Sequence, residues 1–199
     1  MIYTTMDGHE SETAVIGREG MVGISLFMGG EHTNRRAVVQ SSGRAWRMPA
    51  YILMRELNQH VELDQLLLRY SQYLITQMSQ TAVCTRFHSI YQQLCRRLLL
   101  SLDRVSNNSV QMTQQQIASG LGVRREGVTE AACKLQRQGV IKYHRGVVTI
   151  LDRLLIEKLS CECYSVVRNE EERLFSHNLQ HAASKSGTPA KTEVYEFSL

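Results

Sequence analysis

The feature that most constrains this 199-residue chain is a run of local start and stop signals between residues 113 and 150. Thr113 is suited to cap a helix, because its hydroxyl can accept from a first-turn N–H that has no partner inside the helix. A short helix fits 114–119, Gly120-Leu121-Gly122 interrupts it, and a second helix fits 124–138. Ala118 is small where two such helices must cross, Gly122 tolerates the positive φ of a tight turn, and Val128 offers an apolar plug from the second helix. Gly139 stops that helix, and 140–150 then alternates like a hairpin pivoting near Arg145-Gly146. Two helices joined by a tight turn and followed by a hairpin make a helix-turn-helix with a wing.

In such a module the N-terminal end of the second helix can enter the major groove of double-stranded DNA. There Arg donates to guanine, Glu accepts from cytosine and Thr meets a thymine methyl. The residues at that end are Arg124, Arg125, Glu126, Thr129 and Glu130. Thr113, Gln114 and Gln115 at the start of the first helix, with Lys142 and Arg145 on the wing, suit phosphate contacts that fix register. Charge agrees with this reading: the whole chain carries +4, whereas 104–158 holds nine Lys/Arg against four Asp/Glu, a local balance of +5. A winged module used only for protein contacts would leave Arg124-Arg125 with no acidic partner.

Upstream, Gly8, Gly17, Gly20, Gly23, Gly29, Gly30 and Gly43 crowd the first 43 residues, and neither Gly nor Pro occurs over 50–119. The first part must turn often and reads as a small antiparallel sheet with strands at 13–16 and 36–40. Pro49 introduces helix. An apolar stripe then runs Leu63, Leu67, Tyr70, Leu74, Met78, Thr81, at spacings of 4, 3, 4, 4 and 3. Its polar flanks favour a two-helix dimer seam over packing on the chain's own sheet. Ile90, Leu94, Leu98 and Leu102 mark another helix, ending near Ser106-Asn107-Asn108-Ser109. Ser176 onward loses periodicity and is expected to be a mobile tail. The expected fold class is α+β: a partial antiparallel β-roll over 1–57, a long dimerisation helix over 58–86, a winged helix-turn-helix over 87–160, and a C-terminal helix and tail over 161–199.

From Gly17 to Leu174 the chain resembles the Crp/Fnr family of bacterial transcription regulators. The resemblance is carried by Gly17-Arg18-Glu19-Gly20-Met21-Val22-Gly23, by Thr113-Gln114-Gln115-Gln116-Ile117-Ala118 with Leu121-Gly122-Val123-Arg124-Arg125-Glu126, and by Gly139-Val140-Ile141-Lys142-Tyr143-His144-Arg145-Gly146 with Ile150-Leu151-Asp152-Arg153. It implies a cyclic-nucleotide-binding-type β-roll, a dimerisation helix and a DNA-reading head. It further implies Arg125, Glu126 and position 130 as base readers, Thr113 and Gln115 on the backbone, and a homodimer on an inverted-repeat operator. RNA polymerase is a further candidate partner, and the bacterial cytoplasm, at the nucleoid, is the expected location.

The chain also departs from the family. Glu130 stands where many members carry a guanine-gripping Arg, which predicts a different half-site. Gly127 inside the reading helix costs about 1 kcal/mol relative to Ala, either because DNA comes close or because nothing forbids it. In the effector region, Gly23, Ile24, Arg35 and Arg36 occupy the pocket positions. Isoleucine cannot accept from a ribose hydroxyl, and adjacent arginines on a strand read as solvated, so no cyclic nucleotide is expected. The chain begins within what resembles the second half of the roll.

Other chemistries are weakly signalled. Cys84, Cys95, Cys133, Cys161 and Cys163 are odd in number and irregular in spacing, so they read as reduced thiols. Cys84 with His88, and Cys161 with Cys163, are conceivable metal ligands, but neither pair is followed by another at ligand spacing. They read as small buried apolar residues, and neither a metal nor an iron–sulfur cluster is expected. His177 and His181 read as solvated tail residues. No nucleotide-binding loop, nucleophile elbow or spaced carboxylate pair points to an enzyme, and no apolar run approaches the roughly 20 residues of a membrane helix. The alternative function is an interaction protein that heterodimerises with a related regulator.

Overall fold

The computed structural model describes residues 1–30, 32–175 and 193–197, which form an α+β chain. Three short strands, β1 (Ile2–Thr4), β2 (Glu10–Glu12) and β3 (Arg35–Arg36), make an antiparallel sheet with β1 at its centre. The strands expected at 13–16 and 36–40 are therefore displaced. Pairing stops at Glu12, because the next segment leaves the sheet: Ala14 is buried in the core, and the Val15 N–H donates to the Gln77 side chain instead of to a neighbouring strand. Further along lie β4 (Gly43–Arg47) and the helix α1 (Ala50–Leu57), with Pro49 as its N-cap. A separate strand, β8 (Glu193–Phe197), pairs antiparallel with β4, within what reads from sequence as a mobile tail. The rest of that tail, with His177 and His181, lies outside the described residues.

Two helices build the centre: α2 (Val61–Phe87) and α3 (Ile90–Leu102). They are separated by a break that Ser89 and Gln92 stabilise as a reciprocal capping box. Leu94, Leu98 and Leu99 of α3 are essentially inaccessible, so α3 is the core helix of the molecule. The C-terminal helix α7 (Glu162–Phe175) packs back along α2. Its Phe175 ring meets Tyr73 edge-on at 5.8 Å, and the Tyr73 hydroxyl donates to Glu171 at 3.2 Å.

This packing overturns the expected dimer seam. Leu67, Tyr70 and Leu74 are buried within the chain, Met78 packs on the same core, and Tyr70 donates to the Met21 carbonyl at 2.8 Å. Leu63 and Leu67, at the start of the stripe, lie outside that core cluster, although Leu67 is itself buried. The 3.6-residue period shows that a face is covered, not what covers it. The cover here is intramolecular. A different face of α2 is left to solvent, where Val61, Leu68, Ile75, Ala82 and Val83 follow one another at spacings of 7, 7, 7 and 1.

Buried ion pairs fasten the N-terminal segment to the helices. Arg104 reaches Glu19 at 2.7 Å with both side chains about a tenth exposed, and its guanidinium also donates to the Tyr73 hydroxyl and the Leu100 carbonyl. Arg97 pairs with Glu12 at 2.9 Å, similarly buried. Arg104 thus belongs to the interior and adds nothing to a surface field. Arg153 is likewise engaged, with Asp103 and Glu157.

Candidate nucleic-acid interface

The segment after α3 opens with β5 (Ser109–Gln111), then α4 (Gln114–Leu121), α5 (Arg125–Arg137), β6 (Ile141–His144), β7 (Val147–Ile150) and α6 (Arg153–Leu159). The helix-turn-helix forms where the sequence signals place it. The Thr113 hydroxyl accepts from the Gln116 N–H at 3.2 Å, and the Gln116 side chain accepts from the Thr113 N–H at 2.8 Å, so two otherwise orphaned donors are satisfied together. Gly122 ends α4 at φ 67° and ψ 33°, the left-handed region that an L side chain enters at a cost. Ile117, Ala118, Val128, Ala132 and Leu135 close the space between α4, α5 and α3.

The wing is three-stranded, in the order β5-β7-β6. Sequence reasoning missed β5, because its three residues sit behind a polar turn too short to show alternation. The β6–β7 hairpin turns on Arg145 (φ 47°) and Gly146 (φ 78°), the paired positive φ values of a type I′ turn. The wing is anchored at three points: Gly146 accepts from the Met112 N–H at 2.8 Å, the Tyr143 hydroxyl donates to the Met112 carbonyl at 2.7 Å, and the Tyr143 N–H donates to the Gln136 side chain at 2.7 Å. Wing tip and α4 N-terminus are therefore held side by side, with Gly146 close to the Thr113 methyl. Burial pushes the Tyr143 phenol above its ordinary pKa, against the opposing pull of the nearby Arg125 guanidinium.

Arg124, Arg125, Glu126 and Glu130 all stand exposed at the N-terminal half of α5, and Thr113, Gln115, Lys142 and Arg145 are exposed beside them. Among the described residues, none of Arg124, Arg125, Glu126, Glu130, Lys142 and Arg145 has its side chain in an ion pair. Thr129 and Gln114 differ: both are half-buried, and the Thr129 hydroxyl donates to Gln114 at 2.9 Å. That bond locks α4 to α5 and spends both groups on positioning. Gly127 faces α3, and a Cβ there would come within 2.7 Å of the Ile90 side chain. Its reason is thus a helix crossing, which neither alternative drawn from sequence had included.

In the N-terminal region, Gly23 at φ 102° starts a short 3-10 turn, Ile24–Leu26, and Ile24 packs on the core. Arg36 on β3 is paired with Glu10, and Arg35 contacts the Met78 sulfur at 3.5 Å. The expectation that both arginines are merely solvated therefore fails for Arg36, whose charge is met by Glu10 of β2, on the far side of β1. Among the described residues, no helix is long and apolar enough to cross a membrane.

Residues 92–159 match the family described as the Crp-like helix-turn-helix domain. No curated protein matches the chain. Among solved structures, it is similar to FixK2 from Bradyrhizobium japonicum, at 16% identity and a TM-score of 0.50, covering 56% of this chain and 59% of that one. It is also similar to a protein described as a transcriptional regulator of the Crp/Fnr family from Eubacterium rectale, at 19% identity and a TM-score of 0.54, covering 79% of this chain and 74% of that one. The chain thus spans about three-fifths of the FixK2 chain.

Proposed function

Residues 92–159 being a Crp-like helix-turn-helix domain in a chain with the Crp/Fnr-type regulator fold, we propose that the protein is a transcription regulator that binds an inverted-repeat operator as a homodimer. The observation that carries this reading is the set of exposed charged side chains on the N-terminal half of α5 and on the wing, none ion-paired among the described residues and all held on a well-packed scaffold. A fixed surface of this kind enters a major groove without reorganising. Arg124, Arg125, Glu126 and Glu130 read base edges, Thr113, Gln115, Lys142 and Arg145 grip phosphates, and Thr129 with Gln114 keeps the two helices in register.

The two heads are joined through the exposed face of α2. Val61, Leu68, Ile75 and Ala82 repeat every seven residues, the period of a two-stranded helical seam, with Val83 alongside. Two-fold symmetry then places the heads on half-sites about one helical turn apart. Selection of bound fragments from a random DNA pool, followed by gel-shift titration at several salt concentrations, tests the proposal. The expected result is a palindromic site whose preference over random DNA persists as total affinity falls with salt. Binding without sequence preference, or an asymmetric single half-site, would overturn it.

A further inference from the structure

Cys161 lies in the turn between α6 and α7 and Cys163 in the first turn of α7, while the last turn of α2 carries Cys84, 77 residues before Cys161, with His88 just beyond it. The fold brings all four together. Sγ of Cys84 lies 3.5 Å from Sγ of Cys161, Sγ of Cys163 lies 3.5 Å from Nδ1 of His88, and the four ligand atoms all fall within 4.8 Å of one another. We propose that Cys84, His88, Cys161 and Cys163 form a closed tetrahedral zinc site.

The geometry fits one ion. Bonds of about 2.3 Å to sulfur and about 2.0 Å to nitrogen place the ligand atoms of a tetrahedral zinc roughly 3.5 to 3.8 Å apart. Both short contacts already have that length, so sub-ångström side-chain adjustment would complete the set. Three thiolates and one imidazole, three of the four residues buried, make a soft donor set with no open position, which suits a structural zinc. Binding is balanced by the loss of three protons to solvent, one from each thiol, while His88 binds neutral through Nδ1.

The surroundings support the assignment independently. Nε2 of His88 faces the Glu162 carboxylate at 3.3 Å, the outer partner that fixes the tautomer of a metal-bound histidine. The site, three thiolates on a divalent ion, would carry one negative charge. Arg96, itself buried, acts electrostatically on the Cys84 and Cys163 thiols, and its Nε has no hydrogen-bond partner among the described residues. The cysteines also form a buried cluster of their own, with no aliphatic member and separate from the main core. Ordinary buried cysteines would merge with their apolar neighbours. An ion here ties the end of α2 to the turn that leaves the DNA-reading domain.

The test uses the full chain purified under reducing conditions with zinc supplied during expression. Elemental analysis is expected to find one zinc per chain. After removal of the zinc, cobalt(II) is expected to give thiolate-to-metal charge-transfer absorption and the intense visible bands of a tetrahedral ion. Cys161→Ser with Cys163→Ser should abolish both signals, Cys133→Ser, at an exposed position, should change neither, and Glu162→Gln should lower metal affinity by roughly 10- to 100-fold with the tetrahedral spectrum retained. Wild-type protein with a native circular-dichroism spectrum that takes up neither metal would overturn the proposal. So would cobalt absorption that survives in the double serine variant, or a Cys84–Cys161 disulfide that withstands the reductant.

Discussion

Gly120 and Gly127 sit in the two helices of the reading head, and replacing each by alanine should have very unequal consequences. Helix propensity alone favours alanine by about 1 kcal/mol at both positions. At Gly127, a Cβ would meet one methyl carbon of Ile90 at 2.7 Å, with the next atom at 3.9 Å. A small χ rotation of Ile90 relieves that contact, so the overpacking cost falls near the low end of about 1–3 kcal/mol and is largely offset. At Gly120, a Cβ would lie 2.0, 2.7 and 2.9 Å from three atoms of the Arg97 guanidinium, which is buried against Glu12 at 2.9 Å. Moving that group disturbs a buried pair whose outright disruption costs about 3–5 kcal/mol. With partial relaxation and the propensity gain, Gly120→Ala should destabilise by roughly 2–4 kcal/mol and Gly127→Ala by less than about 1 kcal/mol. Urea unfolding followed by circular dichroism measures both through the midpoint at constant slope. The cost of Gly120→Ala should largely vanish in an Arg97→Ala background, since the obstacle is then gone. Equal stabilisation by the two alanines, or strict additivity of Gly120→Ala with Arg97→Ala, would refute the packing argument.

Three further outcomes can be measured. Arg125→Ala should cost about 1–3 kcal/mol of operator binding and relax preference at one base of each half-site, whereas Lys142→Ala should weaken all sequences evenly and reduce the salt slope by about 1; quantitative gel shifts separate the two. Ile75→Glu, on the exposed face of α2, should shift sedimentation from dimer to monomer while leaving the circular-dichroism spectrum intact, and an unchanged sedimentation coefficient would dismiss the seam. Burial raises the Glu171 carboxyl pKa above its ordinary value, so the folded state holds that proton more tightly than the unfolded chain and is penalised once the pH exceeds the unfolded value. Glu171→Gln, which keeps an acceptor for the Tyr73 hydroxyl, should therefore be more stable than wild type at neutral pH, with the gap closing as the pH falls through the raised carboxyl range; a gap independent of pH would count against it.

Caps, turns and the wing were legible because their signals are local. Thr113 with Gln116, Gly122, and the Arg145-Gly146 turn each satisfy or strain a backbone only a few residues away, so the sequence by itself determined a helix-turn-helix with a hairpin and placed Arg124, Arg125, Glu126 and Glu130 on its outer face. The tertiary structure decided whatever depends on a partner far along the chain. It turned Leu67, Tyr70 and Leu74 inward and left Leu68 and Ile75 outside, with the N-terminal segment meeting Tyr70 through Met21 and α7, about a hundred residues on, packing along α2 at Tyr73. It removed Arg104 from the basic surface by burying it with Glu19, gave Gly127 its reason in Ile90, and joined two cysteine-bearing segments into one cluster of four ligands. A periodic pattern shows that a face is buried and a residue type shows what it could bind; which face meets which is set by packing between segments that the order of residues does not make neighbours.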